Sequence, residues 1–433
     1  MILKLAWKNT WFKPLNTLLS IILLAASISI ITVLLLLQKQ FEEKFSSNID
    51  NIDLVIGAQG SPLQLILSSV YQIDNPTGNI AYQEAKNWIN HPFVERAVPL
   101  AFGDNYKGYR IVGTTQAYLL QYNLQIAQGK TFVNDFEVII GSEIAQNLNL
   151  KIGDTFFGSH GDAAEGEVHD HQKYTIVGIF KPSGKVADNL ILSTIKSVWL
   201  MHHPEERTPD ETVAETEHIH DENGTHHPEE EHVHDEHCTH DHHEEVTINE
   251  DEQEITAILI KFKNKMGVVT WPRIIAQNTK MQAVSPVYEV NRLFELFGIG
   301  LDALKYLAFG IMLLSGISIF ISLYNRLNER KYEFALMRIN GAKPLHLLGL
   351  VLTESLLLCV LGYAFGKIIG RLALYFISNS SQQNYKMSFD TFAIDFKNEF
   401  LLFIITLGVG VLAALIPAIK AYTLNISKTL SHA

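Results

Sequence analysis

Cysteine is almost absent. With only Cys238 and Cys359 in 433 residues, a disulfide framework is excluded, and Cys359 falls inside an apolar stretch. A separate basic face is also missing, because Lys and Arg cluster beside apolar runs; nucleic acid is therefore not an expected partner. No catalytic signature is found. There is neither a G-x-S-x-G elbow nor an H-E-x-x-H helix, and Gly129-Lys130-Thr131 is no phosphate loop, since Leu124 stands where that loop needs Gly. Between Gln38 and about Phe297 no apolar run is long enough to cross a bilayer. That interval, some 260 residues, has the size of one large or two small domains outside the membrane.

What is present lies on either side of that interval. Met1–Phe12 carries Lys4 and Lys8 on one face and Leu3, Trp7, Trp11 and Phe12 as an interface-seeking apolar one, so residues 1–14 are expected to lie along the cytoplasmic surface. Leu15–Leu37 has no charge and suffices for a first span. No small-x-small cleavage site follows it, so it is read as retained. Leu301–Leu323, Leu345–Ile377 and Phe400–Ile419 supply three more spans, with an outer loop at 378–399 and a cytoplasmic tail at 420–433. The expected fold class is thus a membrane α-helical protein of four transmembrane helices, with an extracytoplasmic mixed α/β domain at 38–297 between spans 1 and 2.

Within that domain, Asp53–Gly57, Tyr109–Gly113, Val138–Ile140, Tyr174–Phe180 and Glu254–Lys263 read as strands. Leu63, Leu65, Ile66, Leu67 and Val70 share one helix face, and Ala81–Asn90 suggests a second helix.

The segment between spans 2 and 3, residues 324–344, is charged. Arg326, Arg330, Lys331, Arg338 and Lys343 stand there against Glu329 and Glu333, and such an excess of cations marks the cytoplasmic side. Its helix should stop at Asn340-Gly341, with Pro344 in the first turn of the next. Glu333, Leu336, Arg338, Gly341, Ala342 and Glu354 here resemble the loop signature of the ABC transporter permeases of the MacB/FtsX/LolC type, with Met337 where that family commonly has Leu. The segment EVIIGSEIAQNLNLKIGDTF with KYTIVGIF resembles the family's outer domain, and Pro417, Ala418, Lys420, Ala421 and Leu430 resemble its closing segment.

The resemblance implies four spans in the cytoplasmic (inner) membrane, a periplasmic domain, and ATP handled only by a separate cytoplasmic ABC ATPase. It also implies a second permease copy, identical or paralogous. On this reading Arg326, Arg330, Glu333, Leu336, Arg338, Gly341, Ala342 and Glu354 couple the chain to the ATPase. Glu354 is an ionisable group two turns into span 3, and the rival reading pairs it with a nearby Lys or Arg at the interface. Gly362, Gly366 and Gly370 form a small-residue stripe along span 3, inviting close approach of a helix from this chain or from a second copy. Lys367 and Arg371 are expected to snorkel outward.

An acidic insert at 202–254 interrupts the domain. It holds 20 Asp or Glu against one Arg, about −19, so that the rest of the chain is about +7 despite a total of −12. It also holds 12 of the 18 histidines. His218, His220, His226, His227, His232, His234, His237, Cys238, His240, His242 and His243 are candidate ligands for Zn²⁺, Ni²⁺ or Cu²⁺, in close pairs without the spacing of a fixed structural site. The bland alternative is a disordered acidic linker. His160, His169 and His171 sit in a second polar loop that could add ligands. A zinc- or metal-linked transport process with a periplasmic metal-binding or adaptor partner is the functional expectation. The alternatives are lipoprotein release or small-molecule efflux with the tract as sensor or spacer, and a membrane-tethered metal-binding module without an ATPase.

Overall fold

The computed structural model describes residues 2–12, 14–159, 172–202, 249, 252–385 and 389–425. A short helix, α1 (Ile2–Thr10), precedes the long α2 (Pro14–Ile49). The outer domain begins with β1 (Leu54–Ala58), α3 (Pro62–Ser69), β2 (Ile80–Ala81), α4 (Tyr82–Ile89), β3 (Val94–Tyr106) and β4 (Tyr109–Thr114). It continues through α5 (Ala117–Tyr122), β5 (Ile126–Gly129), β6 (Glu137–Ile140), α6 (Ser142–Leu148), β7 (Thr155–Phe156), β8 (Tyr174–Phe180), β9 (Ile191–Thr194) and α7 (Ile195–His202). It closes with β10 (Glu254–Ile255), β11 (Ala257–Phe262), α8 (Met266–Asn278) and β12 (Met281–Val284). Four helices follow: α9 (Pro286–Glu329), α10 (Lys331–Ile339), α11 (Pro344–Tyr385) and α12 (Phe396–Tyr422).

Among the described residues, α2, α9, α11 and α12 are the four helices long and apolar enough to cross a membrane. Prolines at the start of α2, α9 and α11 fit the first turn, where the missing N–H would have no helical partner. In the bundle α2 packs on α9 and α11, and α12 packs on the same two helices from the other side. The glycine stripe of α11 faces α2 of the same chain. A Cβ on Gly362 would sit 2.6 Å from Leu24 Cδ2, and one on Gly370 would sit 3.1 Å from the Ser29 carbonyl oxygen. Close backbone approach thus answers which helix the stripe serves.

The outer domain is built on one mixed sheet in the order β12-β1-β11-β3-β4-β9-β6-β8-β5, with β7 beside β8. β3 joins its two halves. Val94–Leu100 pairs with β11, and Ala101–Tyr106 runs with β4, with a register shift between Phe102 and Asn105. The alternating burial of β8 matches its period-two sequence, as a half-buried strand requires. β3 was not foreseen as a strand. Pro99 and Gly103 lie in its interior, and both depress strand propensity.

Two links join the sheet to the bundle. α2 leads directly into β1 and β12 leads directly into α9, and β1 and β12 are antiparallel neighbours with Val55 opposite Val284. Both helices are longer than their apolar stretches: at 1.5 Å per residue, 36 and 44 residues make rods of about 54 and about 66 Å. Their outer ends share a core with the domain. The Phe45 ring lies 4.4 Å from Tyr71 and 5.9 Å from Phe294, and the Tyr71 hydroxyl donates to the Phe45 carbonyl at 2.8 Å. Asn48 Oδ1 accepts from the Val186 N–H at 2.9 Å, tying α2 to a loop folded around the Asp188 carboxylate.

The candidate metal residues from His218 to His243, together with His160, His169 and His171, lie outside the described residues. The chain flanking the insert is described. Trp199 Nε1 donates to the Glu254 carbonyl at 2.8 Å, so the two edges of the tract meet on one domain, as expected of an insertion.

Candidate coupling site at the cytoplasmic end

The charged segment folds as the spacing predicts. α9 ends at Glu329, Arg330 caps it and opens α10 directly, and the C-terminus of α10 is closed by the Ala342 N–H donating to the Met337 carbonyl at 3.0 Å and the Gly341 N–H to that of Arg338 at 3.2 Å. This paired closure needs a left-handed residue, and Gly341 has φ +92°. The segment then turns into α11 at Pro344.

α10 is two-faced. Phe334 and Ala335 are buried against the bundle, whereas Tyr332, Leu336 and Ile339 are exposed and recur at i, i+4 and i+7 along one stripe. Arg330 braces the helix start: its Nε donates to Glu333 Oε2 at 2.7 Å, and its guanidinium lies 5.8 Å from the Phe12 ring and 5.9 Å from that of Phe334. Arg338 is half-buried on the same helix.

Beneath α10 lies a buried polar network. Glu354 and Arg326 are each 5% exposed. Glu354 Oε1 accepts from Asn9 Nδ2 at 2.7 Å, which fastens α1 to α11. Arg326 Nη2 donates to Thr17 Oγ1 at 2.7 Å and to Ser322 Oγ at 3.1 Å, and the Thr17 hydroxyl donates to the Thr10 carbonyl at 2.6 Å. Four helices therefore meet through these hydrogen bonds, and the Glu354–Asn9 and Arg326–Thr17 bonds join residues 345 and 309 positions apart. In a low-dielectric interior such bonds fix geometry strongly, because breaking one strands a buried polar group.

Sequence reasoning placed Arg326, Arg330, Glu333, Leu336, Arg338, Gly341, Ala342 and Glu354 in one region, and the fold assembles that region. They do not act alike. Arg326 and Glu354 belong to the buried network, Arg330 and Glu333 pair with each other, Leu336 faces outward, and Gly341 and Ala342 close the helix. The partner of Glu354 was not foreseen: it is neutral Asn9, not a Lys or Arg. Asn9 and Thr10 are buried beside Ala6, on the side of α1 away from exposed Trp7 and Trp11, a polar signal the sequence did carry.

At the outer end, Lys367 and Arg371 reach the first turn of α12, and Arg371 also reaches the outer loop before it. Both meet Glu399 of α12, Arg371 at 3.3 Å, and Arg371 also donates to the Thr391 and Ala393 carbonyls at 3.4 Å.

Two family models match the chain. The FtsX-like permease C-terminal covers residues 306–426, and the MacB-like periplasmic core domain covers residues 15–216. Among solved structures, the periplasmic region of MacB from Actinobacillus actinomycetemcomitans is similar at 9% identity and TM-score 0.33, over 57% of this chain and 96% of that one. The extracellular domain of the noncanonic ABC-type transporter YknZ from Gram-positive bacteria is similar at 10% identity and TM-score 0.30, over 54% of this chain and 99% of that one. No curated protein matches. One model reaches from the first span into the outer domain, and the other covers most of the last three spans with their cytoplasmic turn. The chain belongs to the ABC transporter permeases of the MacB/FtsX type, as a multi-pass inner-membrane protein with a periplasmic domain between its first two spans.

Proposed function

We propose that this permease carries ATP-driven motion from a separate cytoplasmic ATPase to its periplasmic domain. Family membership supports an ABC ATPase as partner. The observation that carries the reading is the continuity of α2 and α9 from the Arg326–Thr17 contact at the cytoplasmic end to adjacent strands of the outer sheet. A tilt imposed at one end of so long a rod becomes a displacement at the other. The exposed Tyr332, Leu336 and Ile339 stripe offers the ATPase an apolar ridge, flanked by Lys331 and Arg338. Substituting Glu333 and Arg338 separately, then measuring ATPase binding and ATPase stimulation as two readouts, tests the reading. A transmitting role predicts retained binding with lost stimulation, whereas no change in either argues against it.

The histidine-rich insert supports a zinc- or metal-linked version of this activity. Its imidazoles and carboxylates are suitable ligands, and Trp199 and Glu254 place its two ends together on the periplasmic domain. A periplasmic metal-binding or adaptor protein is the corresponding partner, and a second copy of the permease completes the assembly.

A further inference from the structure

Arg326 and Glu354 both lie buried near the cytoplasmic face, and their charges are within electrostatic reach of each other. No ion pair within 4.0 Å joins them. Each is instead held by neutral groups, Arg326 by Thr17 of α2 and Ser322 of its own helix, Glu354 by Asn9 of α1. Arg326 Nε and Nη1 are buried and have no hydrogen-bond partner among the described residues. A guanidinium carries five donors in a rigid fork suited to a carboxylate, so neutral hydroxyls on one nitrogen leave most of its capacity unused. The helices bearing the two charges, α9 and α11, pack chiefly on α2 and α12 and little on each other.

We propose that Arg326 and Glu354 exchange partners during the working cycle: Glu354 leaves Asn9 and pairs directly with Arg326, drawing the cytoplasmic ends of α9 and α11 together and releasing α1. The proposal deepens the transmission reading and rests on it. Both arrangements satisfy Glu354 with a donor, but only the second fills the open guanidinium nitrogens. The first is held in place by the docking of α1, whose exposed Leu3 and Trp7, with Trp11 and Phe12 in the turn after it, suit the bilayer surface. Two discrete pairings of the same buried groups make a bistable element, of the kind that turns a small push at α10 into a defined helix movement. Asn9, Thr17, Arg326 and Glu354 are positioning residues in this scheme; none touches cargo or nucleotide.

The test uses the full chain purified with its ATPase in nanodiscs, with Cys238→Ser and Cys359→Ala so that labels report only from chosen sites. Spin labels at Leu3→Cys and Leu345→Cys, both exposed, leave the four network residues intact and measure the α1–α11 separation. The expected result is a changed distance distribution when the ATPase is trapped with ADP and vanadate. In parallel, Arg326→Glu and Glu354→Arg should each lower ATPase stimulation about tenfold, with the double charge swap recovering most of it instead of showing the roughly hundredfold loss of independent sites, a coupling approaching ~2.7 kcal/mol and within the range of groups in contact. An unchanged distance while stimulation persists, or a swap as impaired as the worse single variant, overturns the exchange and leaves the transmission reading standing. Absence of any stimulation by the unaltered permease overturns both.

Discussion

A Cβ added to Gly366 would lie 2.7 Å from Ile28 Cβ and 2.8 Å from the Ala25 carbonyl oxygen, so α11 and α2 touch backbone to side chain at mid-bundle. No real Cβ tolerates such a distance. Gly366→Ala should therefore force the helices apart and destabilise the detergent-solubilised protein by about 1–3 kcal/mol, the usual cost of overpacking. Gly310→Ala, where an added Cβ meets nothing within 4 Å, is the matched control and should leave the melting temperature unchanged. Equal melting temperatures for the two variants would show that the stripe is not a close-packed seam.

At the stalk, Phe45 is buried among Tyr71, Phe294 and Phe41. Phe45→Ala should cost about 3–5 kcal/mol by cavity formation. If the rods transmit force, the variant should also lose ATPase stimulation at temperatures where circular dichroism still reports a folded domain.

The α10 ridge can be tested apart from the network beneath it. Leu336→Asp places a charge on an exposed apolar residue without opening a cavity, so stability should hold. Affinity for the ATPase should fall about thirtyfold or more, the scale of a hot spot worth at least 2 kcal/mol. Undiminished co-purification would place the ATPase contact elsewhere.

Glu137 supplies a pH handle in the outer domain. Lys130 Nζ at 2.9 Å, the Val133 and Asn134 N–H groups at 2.8 and 3.1 Å, and the Asn134 side-chain amide at 3.1 Å all donate to its carboxylate. The Lys130 bond, followed by these backbone donors, holds its pKa down at about 2 from 4.5. Because the folded value lies below the unfolded one, its stabilisation is full above pH about 4.5 and is lost as pH falls from there towards about 2. Glu137→Gln should thus flatten the fall in melting temperature below pH 4.5, measured by calorimetry on the whole chain.

For the insert, isothermal titration with Zn²⁺ at pH 7.5 should show several sites in the full chain and a marked loss when residues 203–248 are deleted. Affinity should fall as pH drops through about 6.5, where protons compete for imidazole nitrogen. Zinc uptake unaltered by the deletion would remove the metal reading of the tract.

The amino-acid sequence by itself determined the four spans, the orientation set by the charged turn, and the cap at Gly341, because apolar length, cation excess and the left-handed preference of glycine are local properties. It also marked β1, β4, β6, β8, β10 and β11 of the outer domain, through short apolar runs set between turn residues. Only the tertiary structure decided that the glycine stripe serves α2, that Lys367 and Arg371 turn to Glu399, and that β3, with Pro99 and Gly103 inside it, is the strand joining both halves of the sheet. The same is true of Asn9 and Glu354, which lie 345 residues apart. Which polar group satisfies a buried charge depends on which helices pack side by side, and that is settled by the shape of the whole bundle and by no short stretch of chain.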